Sequence, residues 1–134
     1  IASAAPNATI GLVSYPQVAP QNHRDTANCG WLTNAEREAV RRVVGEINLA
    51  QWRAVEQAKA EGIRAVFIDI SDALLGHELC TKNSHLVRVY GNKFNTEQAH
   101  PDSVDRSSTG GTSGQEDMAN AVYRELIRLG VITR

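Results

Sequence analysis

The chain has 134 residues, a length typical of a single domain. Charged residues make up 22% of the sequence and the net charge is −1, so no basic surface suited to nucleic acid is indicated. A hydrophobic share of 42% argues against disorder, and no apolar run reaches the length of a bilayer span. The composition therefore predicts a folded chain with neither a nucleic-acid partner nor a transmembrane segment.

The first predicted element is a β-strand at residues 9–15 (TIGLVSY). This run is almost wholly apolar and is closed by Pro16, a pattern typical of strands buried on both faces in parallel sheets. Residues 16–32 are polar and rich in turn-forming residues, which predicts a long loop.

A long helix is predicted next. Residues 33–36 (TNAE) match the capping box that starts helices, and Gly62 stands where a glycine commonly ends one. Apolar residues recur at helical spacing between these signals, with Arg37 and Arg41 largely off the apolar face. The predicted inward face consists of Ala39, Val40, Val43, Val44, Ile47, Ala50, Ala54, Val55 and Ala58.

A second doubly buried strand is predicted at residues 65–70 (AVFIDI). A strand, a helix and a strand in succession form a βαβ unit, so the two strands should be parallel. Residues 86–90 alternate like a short surface strand, and residues 92–114 form a long polar loop. A final helix should start at a second capping box, residues 113–116, and stop at Gly130.

Two strands buried on both faces need more neighbours than this sequence supplies. A two-stranded sheet is rarely stable alone, and a doubly wound sheet normally has about five parallel strands. The sequence therefore predicts the α/β class and about half of a doubly wound parallel sheet. The other half would come from a partner chain or from a longer polypeptide.

His100 is the side chain best suited to catalysis. It lies in the polar loop directly before Pro101 and three residues after Glu97. A hydrolase needs such an imidazole as its general base, with a carboxylate nearby to fix the tautomer and stabilise the imidazolium. Spacing alone leaves a second interpretation open, that of an ordinary solvated loop histidine.

Five segments, in this order along the chain, resemble the C-terminal half of SGNH (GDSL-like) hydrolases of the secreted actinobacterial type. In that family a strand ends in Tyr-Pro, a later strand leads to a Gly-His-x-x-Cys turn, an acidic residue precedes His-Pro by three positions, and a Gly-Gln or Gly-His pair opens the last helix. The matching segments are residues 5–9 followed by 11–16 (APNAT and GLVSYP), 67–70 (FIDI), 76–80 (GHELC), 97–101 (EQAHP) and 113–119 (SGQEDMA).

The resemblance implies a three-layer, flavodoxin-like fold in which residues 1–134 are the C-terminal part of one domain, with its last two core strands and final helix. It also implies a secreted or cell-envelope serine esterase or lipase that acts on small acyl esters or lipids without a cofactor. His100 would be the base and Glu97 its orienting carboxylate, although the family's usual residue there is aspartate and some members use a backbone carbonyl. Tyr15 and Trp31 would line the substrate site.

The family's nucleophile and oxyanion blocks all precede its Tyr-Pro strand, and this sequence contains none of them. The resemblance therefore implies a partner, the N-terminal half that carries the nucleophilic serine. Ser14 ends a predicted strand, but no Gly-x-Ser-x-Gly elbow surrounds it. Residues 102–111 stand as an insertion relative to the family pattern. The alternative function is a non-catalytic binding or assembly module that keeps the esterase fold.

Two cysteines, Cys29 and Cys80, complete the candidate residues. Within the resemblance each follows one of the two strands, so a disulfide between them would tie two active-site loops together in an oxidising compartment. Two free thiols and a zinc site remain open, the latter built from the His77-x-x-Cys80 pair with help from Cys29 and His85 or His100. No second close pair of ligands exists, so no metal is expected.

Overall fold

The computed structural model describes residues 4–5, 7–21, 32–81, 84, 86 and 114–134. In this part of the chain two strands and two helices follow one another in the order β1, α1, β2 and α2. Their bounds are Ile10–Val13 for β1, Asn34–Ala60 for α1, Ala65–Ile68 for β2 and Gly114–Arg128 for α2. The predicted α/β class is confirmed.

The two strands form one parallel pair, as the βαβ interpretation predicts. Gly11 lies opposite Val66, and Val13 lies opposite Ile68. Both strands are shorter than predicted: β1 ends at Val13 and β2 ends at Ile68. Side chains directly opposite in a parallel pair point to the same face, so this register assigns every strand residue to one side of the sheet.

Helix α1 begins at the predicted capping box. Thr33 is the N-cap; its side chain accepts a hydrogen bond from the backbone N–H of Glu36, and the Glu36 carboxylate accepts one from the backbone N–H of Thr33 at 2.8 Å. The helix ends at Ala60, and Gly62 follows with φ +78°, a left-handed conformation that glycine adopts without a steric penalty. Both helix boundaries are therefore set by local sequence.

The predicted inward face of α1 is confirmed only in part, because several of its residues in both halves of the helix are exposed. Arg37, expected off that face, is only 6% exposed, whereas Val43 and Ile47 are 50% and 40% exposed. Arg37 can be buried because its guanidinium donates to the backbone carbonyls of Pro20 and Gln21, at 2.8 and 2.7 Å. Periodicity counts apolar side chains and cannot anticipate carbonyl acceptors from a distant loop.

Helix α2 covers one face of β2. Ala121 of the helix is buried against Ile68 and Ile70, and further apolar side chains pack around these three. The surrounding side chains are Val66, Ala73, Met118, Val122, Leu126 and Leu129. The helix stops before Gly130, which has φ +68°, as predicted; Ser113 of the predicted capping box lies outside the described residues.

Strand β1 is less covered than β2. On the face that α2 covers over β2, Gly11 is exposed and Val13 is 37% exposed. The prediction that both strands are buried on both faces is therefore wrong for β1 within the described structure. The reason is that the apolar cluster formed by α2 includes residues of β2 and none of β1. Helix α1 also packs on β2.

Among the described helices, none combines the length and apolar character that crossing a bilayer requires. The predicted surface strand at residues 86–90 is described only at Leu86, which is buried. The predicted loop at residues 92–114 lies outside the described residues except for Gly114, the first residue of α2.

Candidate functional site

The carboxyl edge of the sheet, defined here as residues 14–21 after β1 and 69–81 after β2, is where α/β proteins usually bind ligands. Three backbone hydrogen bonds hold the two segments side by side beyond the strands. The N–H groups of Ser14, Gln17 and Leu79 donate to the carbonyls of Ile68, Ser71 and Val18, at 2.9, 2.9 and 2.8 Å. The segment after β1 is therefore fixed against the turn after β2.

Ser14 is buried at this edge and is hydrogen-bonded in both directions. Its hydroxyl donates to Asp69 Oδ1 at 3.2 Å and accepts from the backbone N–H of Ile70 at 2.8 Å. The hydroxyl thereby links the residue directly after β1 to the two residues directly after β2. Within the described residues the hydrogen-bond partners of this hydroxyl are a carboxylate and a backbone amide.

Asp69 collects several donors at the end of β2. Partial burial acts to raise the pKa of Asp69, but the backbone N–H and hydroxyl of Ser71, the hydroxyl of Ser14 and the positive charge of Arg128 outweigh it. The pKa of Asp69 therefore lies below its ordinary value, and the carboxylate is charged at neutral pH. Arg128 itself donates hydrogen bonds to both carboxylate oxygens of Glu125.

Two arginines on the first turns of α1 bind the segment after β1. Arg37 donates to the carbonyls of Pro20 and Gln21, and Arg41 donates to the carbonyl of Ala19 at 2.9 Å. Three successive carbonyls are thus held by two guanidinium groups. The sequence prediction missed this arrangement; the only signal for it is the i, i+4 spacing of the two arginines.

Of the two predicted substrate-lining residues, only Tyr15 is described. Its side chain is largely exposed, while its backbone N–H and carbonyl are both bound by the side chain of Asn48, each at 2.8 Å. The phenol group of Tyr15 is therefore exposed at the carboxyl edge, and the Asn48 side chain of α1 holds the Tyr15 backbone in place. Trp31 lies outside the described residues.

The predicted catalytic residues His100 and Glu97 lie outside the described residues, as does the 102–111 insertion. These assignments stay predictions. The described residues that flank them along the chain are Leu86, which is buried, and Gly114, which starts α2.

Cys80 is buried after the Gly-His-x-x-Cys turn, and the described part of the chain contains no free cysteine. Its predicted partner, Cys29, lies outside the described residues, so the pairing stays a prediction. The described residues contain no group of three or more His, Cys, Asp or Glu side chains placed to hold a metal ion. Of the zinc ligands considered, His77 and Cys80 belong to that part of the chain.

A cavity of about 220 Å³ lies beside the carboxyl edge, between the segment after β1, helix α1 and the turn after β2. Its lining includes Gln17, Arg41, Asp72, Leu75 and Glu78. None of these was predicted as a site residue, because no motif joins them; only the fold brings them together.

No family model, curated protein or solved structure matches this chain.

Proposed function

We propose that this chain is the C-terminal half of a carboxylic ester hydrolase of the SGNH class. His100 acts as the general base, Glu97 orients it, and the nucleophilic serine and oxyanion donors come from an N-terminal half in the same precursor or a companion chain. The observation that carries the proposal is the ordered set of five family-like segments in the sequence, above all residues 97–101.

The described fold supports the expectation of a second half. Strand β1 leaves Gly11 and Val13 open on the face that α2 covers over β2. Helix α1 leaves Val43 and Ile47 exposed, with Ala50 and Ala54 continuing the same stripe at helical spacing. A further parallel strand beside β1 and a helix beside α1 would cover both surfaces, as in a flavodoxin-like, three-layer domain.

The environment of Ser14 supports an external nucleophile. A serine that attacks an ester needs a free hydroxyl beside a base, whereas this hydroxyl is buried between Asp69 and the N–H of Ile70. The serine of the other half would attack the acyl ester and His100 would take its proton. His100 would then protonate the leaving alcohol, and water would release the acid in a second cycle. Exposed Tyr15, and Trp31, would line the acyl site.

The test uses the complete assembly, the two halves together, with a short-chain aryl ester as substrate. His100→Ala should lower kcat/KM by about 10²–10⁴-fold or more, because a positioned base contributes that much to the rate. His23→Ala, at the histidine of the loop predicted at residues 16–32, serves as the matched control and should keep wild-type turnover. Unchanged turnover in His100→Ala would contradict the assignment.

The same experiment distinguishes the alternative, a non-catalytic module with the esterase fold. In that case the wild-type assembly would not hydrolyse the ester, and the companion half would carry no serine after its first strand. The secreted or cell-envelope location and the Cys29–Cys80 disulfide belong to the same proposal, since disulfides persist in oxidising compartments.

A further inference from the structure

Residues 7–9 (NAT), just before β1, match the acceptor pattern for N-linked glycosylation. The pattern is asparagine, any residue except proline, and then serine or threonine. No other asparagine of the sequence is followed two positions later by serine or threonine. So short a pattern also arises by chance, and the fold decides whether the asparagine is able to carry a glycan.

The fold leaves this acceptor segment outside the sheet and open to solvent. The strand predicted from residue 9 begins only at Ile10, whose backbone N–H donates to the carbonyl of Arg64 at 2.8 Å. Asn7, Ala8 and Thr9 are all exposed. An N-linked glycan is bulky and hydrophilic and needs a surface position, which Asn7 has.

The backbone of the acceptor segment is held by two hydrogen bonds. The N–H of Ala8 donates to the carbonyl of Ala5 at 3.0 Å, and Arg64 Nη1 donates to the carbonyl of Asn7 at 3.0 Å. Both bonds use main-chain atoms of the acceptor segment, so a change at the side-chain amide of Asn7 leaves them intact. The folded chain can therefore carry a group on that amide without losing either bond.

Asn7 lies at the amino edge of the sheet, the end opposite the carboxyl edge. Ile10 pairs with Ala65 where the two strands start, whereas Ser14 follows the end of β1. A strand rises about 3.3 Å per residue, so the chain from Asn7 to Ser14 spans up to about 20 Å. A glycan on Asn7 would leave the carboxyl edge open. It would also precede the residues of β1 with which a further strand would pair.

We propose that Asn7 carries an N-linked glycan. The donor is a lipid-linked oligosaccharide pyrophosphate: Asn7 Nδ2 bonds to the anomeric carbon of its first sugar, and the bond from that carbon to the pyrophosphate oxygen breaks. The lipid pyrophosphate leaves, and Nδ2 gives up one proton. This inference rests on the secreted or cell-envelope location in the proposed function and does not rest on ester hydrolysis.

The test is the intact mass of the complete assembly from its natural source, before and after treatment with an amidase that releases N-linked glycans. The wild type should lose the mass of an oligosaccharide, and the side chain of Asn7 should become a carboxylate. Asn7→Gln and Thr9→Ala, produced in the same source, should show no such loss of mass. Thr9→Ser should keep the glycan, because serine also completes the acceptor pattern.

Asn34→Gln is the matched control. Asn34 is also exposed and is also followed by alanine, but Glu36 stands where the pattern needs serine or threonine. This variant should keep the glycan. Ester turnover should be the same in Asn7→Gln as in the wild type, because Asn7 lies far from the carboxyl edge.

Two outcomes would overturn the proposal: a folded, secreted wild type that loses no mass, or a loss of mass that persists in Asn7→Gln. A wild type that is retained inside the cell without a glycan would overturn both this site and the proposed location. A glycan on Asn7 in an assembly without ester turnover would support this site and contradict the proposed hydrolysis alone.

Discussion

Strands β1 and β2 are paired along their whole length, yet their surroundings differ. Ile68 of β2 is 4% exposed beneath α2, whereas Val13, directly opposite it in β1, is 37% exposed. Both strands are equally apolar in sequence, so composition does not explain the difference. The described helices cover one strand and leave its neighbour partly open. Strand β1 thus combines the apolar sequence of a central strand with the exposure of an edge strand. This combination is expected for a strand whose neighbour belongs to another part of a larger sheet.

The sharpest test of this comparison removes side chains from opposite positions of the two strands. Ile68→Ala should lower the free energy of unfolding by about 2–5 kcal/mol, because it leaves a cavity in the cluster with Ile70 and Ala121. Val13→Ala should cost less than about 1 kcal/mol in this chain alone, since its side chain is already partly in water. Urea denaturation measures both.

The same pair of variants shows whether a second half covers β1. In the complete assembly the cost of Val13→Ala should rise towards that of a buried valine, while the cost of Ile68→Ala should stay the same. If Val13→Ala costs the same with and without the other half, the proposed covering of β1 is wrong.

A smaller effect is expected where Ser14 joins the ends of the two strands. Ser14→Ala should lower the free energy of unfolding by about 1–3 kcal/mol, because the buried N–H of Ile70 loses its acceptor. Ester turnover by the complete assembly should not change. Thr9→Ala, at an exposed position before β1, is the control and should affect neither measurement. Loss of turnover with full stability would instead identify Ser14 as the nucleophile.

The smallest effect concerns pH and the carboxylate of Asp69. Its pKa is lowered in the folded chain, so its stabilising contribution is present above the unfolded value of about 3.9 and is lost as pH falls through the lower folded value. Asp69→Asn should remove at most about 1 kcal/mol at pH 7, since the carboxylate is exposed and screened by solvent. The difference from the wild type in urea denaturation should shrink as pH falls below the unfolded value and should vanish once the folded carboxylate is protonated. A constant difference across this range would exclude the carboxylate charge as its cause.

Local signals predicted the elements well. The capping box at Thr33, the glycine after α1 and the parallel order of the strands are confirmed, because each depends on a few neighbouring residues or on a general rule of chain connection. The burial of Arg37 was not predictable, since its acceptors lie 16 and 17 residues away in a loop without regular structure.

The two candidate sites differ in the same respect: one is predicted from a local sequence motif, and the other is formed only when the chain folds. His100 and Glu97 are predicted from a local motif and lie outside the described residues, whereas no single motif joins Gln17, Asp72 and Glu78, which line the cavity. Its lining side chains come from separate segments, so the sequence contains no pattern from which the cavity could have been predicted.

The two arginines of α1 have a mechanical consequence. Their guanidinium groups donate hydrogen bonds to the backbone carbonyls of residues 19–21, so a movement of helix α1 is expected to move this segment with it. A rotation of α1 about its axis would displace residues 19–21 relative to the carboxyl edge of the sheet. A displacement of α1 would therefore also displace Gln21 and Arg41, two of the residues that line the cavity beside Gln17.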